Sequence, residues 1–167
     1  MSSADSIATP MWIVSLSDEE DARACARLMS SSEPWITLGR SYESSLAIVR
    51  DPTREVYLAR DESGLAGFLI LCMTGAFVGY IQTICIDPRC RRRGLGSTLL
   101  HFAEQRIRRV SPNIFMCVSS FNEGARRLYQ RLGYEVVGEL TDYIVSGHSE
   151  ILLRKTFGPI GSFVAER

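Results

Sequence analysis

Neither sign of charge is in excess in this sequence: 19 basic residues stand against 19 acidic ones. A domain that grips nucleic acid draws much of its affinity from phosphate contacts and carries a basic surplus, so that function class is set aside. Histidine is scarce, with only His101 and His148, and no CxxC pair occurs among the five cysteines. Those absences argue against a metal site and, with the odd cysteine count, against a disulfide framework. Cys25, Cys72, Cys85, Cys90 and Cys117 read as small core residues of a reducing, cytoplasmic compartment. No apolar run approaches the roughly 20 residues of a membrane span, so no membrane association is expected. The opening "MSSADSIATPMWIV" lacks the basic segment and long apolar stretch of a signal peptide.

No repeat, low-complexity tract or Pro/Gly/Ser-rich linker divides the 167 residues. One domain is expected over residues 1–167, with a core from about residue 10 to 156 and a loose tail from 157. "MWIVSL" reads as a first strand. "SDEEDARACARLMSS" reads as a helix, with Ser17 and Glu20 spaced as a capping box and Ala22, Cys25, Ala26 and Met29 on one apolar face. Pro34 and Gly39 interrupt the pattern, and "SYESSLAIVR" makes a second helix that ends before Pro52.

From Glu55 to Pro88 the chain is rich in β-branched and aromatic residues punctuated by glycines, which predicts three antiparallel strands joined by tight turns. "GSTLLHFAEQRIRRV" is a helix with Leu99, Leu100, Ala103 and Ile107 inward. "NIFMCV" is a buried strand. Asn122 caps the helix "NEGARRLYQRLGY", which Gly133 stops. "YEVVGEL" and "SEILLRKTF" complete the sheet. The order β-α-α-β-β-β-α-β-α-β-β predicts an α/β fold with a mixed, mostly antiparallel sheet flanked by helices.

One segment carries more chemistry than the rest. "CRRRGLGSTLL" joins a strand to a helix, where the first helical N–H groups lack partners and the helix dipole favours an anion. Gly94 and Gly96 allow a phosphate close to the backbone, and Arg91, Arg92 and Arg93 can neutralise it. Strand, glycine loop and helix together point to a pyrophosphate. The dinucleotide fingerprint is incomplete, since Leu99 stands where its third glycine belongs, and no Gly-Lys-Ser/Thr follows. Arg106, Arg108 and Arg109 either extend the anion site or form a solvated helix face.

Arg91-Arg92-Arg93-Gly94-Leu95-Gly96 resembles the R/Q-x-x-G-x-G/A motif of the GNAT superfamily of N-acetyltransferases. The preceding "ICIDP" looks like that family's fourth strand, and "SSFNEGARRLYQRLGYEVVGE" is similar to its second signature. The two motifs stand in the family's order and spacing, and the resemblance covers about residues 10 to 156. It implies the GNAT acyl-CoA N-acyltransferase fold and direct attack of a neutral primary amine on acetyl-CoA within a ternary complex. Backbone groups of Ile84, Cys85 and Ile86 are then implied to bind the pantetheine arm. The backbone from Arg91 to Ser97, including Leu95, would cradle the pyrophosphate, and Asn122 would contact the cofactor. Tyr129 is implied to be the general acid that protonates the departing thiolate. No metal is implied.

"EPW" near Trp35, "SFNEGARRLY" and "DYIVSGHSE" resemble the subgroup that acetylates protein N-terminal alanines. That subgroup's base is a glutamate on the fifth strand, and the matched position here is Cys117. Glu43, Asp142, His148 and Glu150 are alternatives, acting directly or through water, as is proton loss to solvent. Trp35, Leu38, Tyr42, Tyr80 and Tyr143 are candidates for an aromatic-lined acceptor pocket, with Glu33, Glu43 or Glu150 attracting an ammonium group. The acceptor is open between an amine-bearing small molecule and a peptide or protein, and the assembly between monomer and homodimer. A non-catalytic acyl-CoA sensor on the same fold is the alternative function.

Overall fold

The computed structural model describes residues 10–165; residues 1–9, which hold most of the segment read for a signal peptide, and residues 166–167 lie outside the described part. The elements are β1 (Trp12–Ser15), α1 (Glu19–Ser30), α2 (Tyr42–Val49), β2 (Arg54–Asp61), β3 (Gly64–Cys72), β4 (Tyr80–Ile86), α3 (Leu95–Arg108), β5 (Asn113–Ser119), α4 (Glu123–Arg131), β6 (Glu135–Leu140) and β7 (Glu150–Thr156). This is the order the sequence predicts. Among the described residues, seven strands form one sheet in the order β1-β2-β3-β4-β5-β7-β6. β1 to β4 pair antiparallel, β1 reaching β2 through α1 and α2 and β2 reaching β3 through a tight turn, whereas β5 lies parallel to β4 because α3 supplies the crossover a parallel pair needs.

Helix α1 begins one residue later than the capping box suggests. Asp18, not Ser17, is the N-cap, and its carboxylate accepts from the Asp21 N–H at 2.8 Å. A carboxylate at this position also meets the positive end of the helix, which a serine hydroxyl does less well. The predicted apolar face is buried: Ala22, Cys25, Ala26 and Met29 are each at most 3% exposed. Ser41 caps α2 by accepting from Ser44 N–H at 3.1 Å. Together α1 and α2 cover one face of the sheet, over Val56, Leu58, Phe68, Ile70 and Cys85. Helix α3 covers the other face, burying Leu99, Leu100, Ala103 and Ile107 against Leu69, Leu71, Ile114 and Met116.

Two expectations from composition resolve as packing. Arg106 donates to Glu55, with Nε at 2.8 Å from a carboxylate oxygen, and Arg108 stacks 4.2 Å over the Phe157 ring. Both arginines hold the structure together and neither extends the anion site. Phe157, the first residue of the predicted tail, is itself anchored by its N–H to the Pro112 carbonyl at 2.8 Å.

The functional consequence of this topology lies between β4 and β5. The two strands pair only at Tyr80↔Phe115 and Ile81↔Met116, then diverge. β4 remains paired with β3 as far as Ile86, and β5 with β7 throughout. The sheet therefore splits into a wedge whose apex is Gly79, where the Phe115 N–H donates to the Gly79 carbonyl at 3.0 Å. Gly79 has φ +87°, and a Cβ there would sit 2.5 Å from Ile107 Cγ2 and 2.8 Å from the Asn113 carbonyl oxygen. Gly79→Ala is expected to destabilise the protein by about 2–4 kcal/mol, from overpacking plus left-handed strain. A denaturant titration of the variant would check this; a midpoint equal to that of the parent would mean the apex yields.

Candidate active site

A cavity of about 830 Å³ runs through the wedge. Its walls come from both faces of the sheet. Trp35, Leu38 and Arg40, from the segment linking α1 and α2, line one side, and Asn122 and Tyr129 of the α4 region line the other. β4 contributes Tyr80 to Ile84, and β5 contributes Met116 to Ser119.

Strand alternation sorts the lining. Met116 and Val118 belong to the core beneath α3. Cys117 and Ser119 therefore face the α1–α2 side. Glu150 pairs with Ser119 in register and shares that side. Tyr129 packs against the α3 core from the opposite side. The cavity thus joins two chambers, one holding Tyr129 and the other holding Glu150, Ser119, Cys117 and Tyr80.

On the Tyr129 side, the loop before α3 is built to expose its N–H groups. Arg92 and Gly94 both have positive φ, +61° and +79°. Left-handed residues in such a turn form a concave nest of N–H groups, and holding a non-glycine residue there costs free energy. Among the described residues no acceptor takes the N–H of Arg92, Arg93, Gly94, Leu95, Gly96 or Ser97. Arg91, Arg92 and Arg93 are exposed, and Arg91 Nε donates to the Ile86 carbonyl at 3.2 Å. A phosphate chain fits this donor set.

The free edge of β4 leads from that loop into the cavity. The Cys85 carbonyl faces β3, since a Cβ on Gly67 would meet it at 2.7 Å, and Asp87 N–H donates to the Ala66 carbonyl. Backbone groups alternate sides along a strand, so Ile84 and Ile86 present theirs to the wedge and Cys85 does not. An extended chain of amide groups can add to this edge as a further strand. Of the three β4 residues expected to offer backbone groups there, Ile84 does, Ile86 offers its N–H while its carbonyl already accepts from Arg91, and Cys85 points its backbone into the sheet.

The titratable groups divide by function. Burial holds the Tyr129 phenol up at about 12, so it carries its proton at neutral pH. Its ring lies 6.2 Å from that of Tyr134, edge to face. Asn122 caps α4, its side-chain oxygen accepting from Ala125 N–H at 3.3 Å, and it lines the cavity as well. On the other side, burial pushes the Glu150 carboxyl above its ordinary value, partly offset by the hydrogen bond from Ser119 Oγ at 2.6 Å. Glu150 is 4% exposed. Burial also raises the Cys117 thiol, which lies against the Tyr80 hydroxyl, and pushes the Cys85 thiol up to about 12. Neither thiol is poised as a nucleophile.

The other base candidates lie elsewhere. Asp142 accepts from the Gly147 N–H at 2.7 Å and shapes its own loop. His148 packs edge to face against Phe121 with ring centroids 4.9 Å apart. Glu33 and Glu43 are exposed and do not line the cavity. Of the acceptor residues, Trp35, Leu38, Tyr80, Tyr143 and Glu150 line it and Tyr42 does not. Arg40, Phe77, Gln82, Thr83 and Ser119 line it without having been singled out in the sequence. For Arg40 and Gln82 no local signal marks them, because each enters the site through strand register or a loop path.

The sequence profile of the acetyltransferase (GNAT) family matches residues 18–134. The chain belongs to that family. Its GNAT fold is shared with a GNAT-family protein from Desulfovibrio desulfuricans, at a TM-score of 0.75 and 19% identity over 89% of this chain and 100% of the other. The ribosomal-protein-S18-alanine N-acetyltransferase of Escherichia coli superposes with a TM-score of 0.72 at 18% identity, over 93% of this chain and 99% of that one. In sequence, the mycothiol acetyltransferase of Mycobacterium sp. (strain JLS) is 33% identical over 92 residues, which is 52% of this chain and 31% of the relative. The GNAT chain described here therefore spans about a third of the length of that relative.

Proposed function

We propose that the protein is an N-acetyltransferase that moves the acetyl group of acetyl-CoA to a primary amine on a small molecule or peptide. The observation that carries this reading is the continuous path from the N–H nest, along the free edge of β4, to the Tyr129 phenol and through the wedge to Glu150. In it the nest from Arg91 to Ser97 holds the pyrophosphate, and Ile84 and Ile86 hold the pantetheine amides. The donor supplies the activated acetyl group; the chain positions it and handles protons.

Amine and donor enter from opposite faces and meet where β4 and β5 part. Attack by nitrogen on the thioester carbonyl needs a neutral amine, and Glu150, with its raised carboxyl, takes that proton directly or through a water. On the far side Tyr129 delivers a proton to the sulfur as the carbon–sulfur bond breaks. The attacking nitrogen sheds its second proton as the amide forms, which restores the Tyr129 phenol, and the products are an amide, free coenzyme A and the proton that Glu150 passes to solvent. Glu150 thereby fills the role left open at Cys117. The names of the relatives, which include mycothiol and ribosomal-protein alanine acetyltransferases, support amine acceptors in general. The five free cysteines fit a reducing compartment such as the cytoplasm.

A thermal-shift titration tests the donor half. Acetyl-CoA at about 100 times its dissociation constant adds about 2.7 kcal/mol, which is expected to raise the midpoint by several degrees. NAD, ATP and inorganic phosphate are expected to do much less. Equal shifts from ATP and acetyl-CoA would reduce the site to a generic phosphate loop and remove the reading.

A further inference from the structure

We propose that the acceptor is a primary amine that also carries a carboxylate, and that Arg40 holds this carboxylate; the inference rests on the acetyl-transfer reading. Arg40 follows the left-handed Gly39, φ +66°, and its N–H donates to the Trp35 carbonyl at 3.0 Å. These contacts fold the α1–α2 segment over the wedge and bring the guanidinium group to the cavity wall. Its Nε is buried and has no hydrogen-bond partner. Among the described residues Arg40 forms no ion pair.

The neighbouring arginine shows the contrast. Arg54 is paired with Asp51 at 3.0 Å and donates to the Gln82 side-chain carbonyl, so its charge is matched within the protein. Burial and the proximity of Arg54 both act against the charge on Arg40. Buried charges and buried N–H donors are normally satisfied. One unmatched guanidinium group facing a cavity calls for one negative charge, and a carboxylate can accept two parallel hydrogen bonds from its fork. A phosphate dianion would leave a negative excess.

Arg40 is not needed for the donor, whose phosphates are provided for by the loop on the opposite face. On its own face the only other charged side chain lining the cavity among the described residues is Glu150. Trp35, Leu38, Phe77 and Tyr80 make the surface shared by the two groups largely apolar and aromatic. The geometry therefore suits a molecule with an ammonium or amine end toward Glu150, a carboxylate toward Arg40 and an apolar body. A polyamine or polycationic sugar would set a second cation against Arg40.

The test uses the full chain with coenzyme A bound and matched ligand pairs: leucine and ω-amino carboxylates of stepped length, each against its primary amide, with spermidine and an aminoalkyl phosphonate. Dissociation constants come from ligand-observed NMR, so binding is read whether or not transfer occurs. The best carboxylate is expected to bind about tenfold or more tightly than its amide. Arg40→Met is expected to shrink that ratio to about twofold or less, with the thermal shift from acetyl-CoA kept, while Arg40→Lys retains part of it. Equal binding of acid and amide by the parent protein overturns the inference with no variant needed. So does an Arg40→Met protein that loses both ligands equally, or a preference for spermidine or for the phosphonate. Discrimination between acid and amide without acetyl transfer would keep the Arg40 carboxylate site and sink the transferase reading; transfer without discrimination would keep the transferase reading and overturn the inference.

Discussion

Replacing Tyr129 by phenylalanine is expected to lower kcat about 10²–10³-fold while leaving the affinity for acetyl-CoA within about twofold. The change removes one oxygen from a half-buried ring whose packing against the α3 core stays in place. What it removes is the phenol proton, which burial holds still more firmly by raising the group to about 12. The proton becomes necessary only as sulfur leaves, so the loss belongs to the transition state and appears in kcat rather than in binding. Acceptors give a second readout. An unchanged rate in a stopped-assay measurement of free thiol would remove Tyr129 from the mechanism and leave it a packing residue of α4.

Glu150→Gln is expected to lower kcat by about 10²-fold and to abolish the acid limb of its pH profile. Burial raises the Glu150 carboxyl. In the parent protein the acid limb should therefore lie above the ordinary carboxylate range, about 4.3 for glutamate. The same shift makes a stability prediction of definite sign. The native state holds the Glu150 proton more tightly than the unfolded chain does. Its contribution to stability is complete below the ordinary value and is lost as pH rises through the raised one. The glutamine variant, unable to ionise, is expected to lose that pH dependence and to melt no lower than the parent at neutral pH. A pH profile of Glu150→Gln that keeps the acid limb would assign the limb to another group.

Much of this molecule was legible because its signals are local. Helical spacing placed Cys25 and Met29 in one core and Leu99, Leu100 and Ile107 in the other, since a 3.6-residue period decides which side chains share a face. Asn122 and Gly133 marked the ends of α4 for equally local reasons: a side chain that accepts from the first turn, and a residue free to adopt φ +88°. The glycine loop was recognisable too, although its second left-handed residue, Arg92, was not. Capping failed by one position because Ser17 and Asp18 are both competent, and adjacent caps compete on small differences.

The acceptor chamber was legible only in part. Trp35, Leu38, Tyr80 and Tyr143 do line it. Tyr42 does not, because a residue at the first turn of α2 can point to any side that the helix orientation leaves open. Glu150 looked like one of four interchangeable base candidates, with Glu43, Asp142 and His148. Register separated it from the rest: pairing with Ser119 buries it and brings it to the wedge, whereas Asp142 is spent on a loop and His148 on Phe121.

The sequence by itself determined the order of the elements, the two apolar layers and the loop that presents N–H groups to an anion. Each of these depends on residues within a turn or two of one another. Only the tertiary structure decided where β4 and β5 part, which backbone edge stays free, and that Arg40 and Glu150 share one cavity. Those outcomes rest on pairings between distant segments. A shift of one residue in such a register turns a side chain to the opposite face, and no local pattern records it.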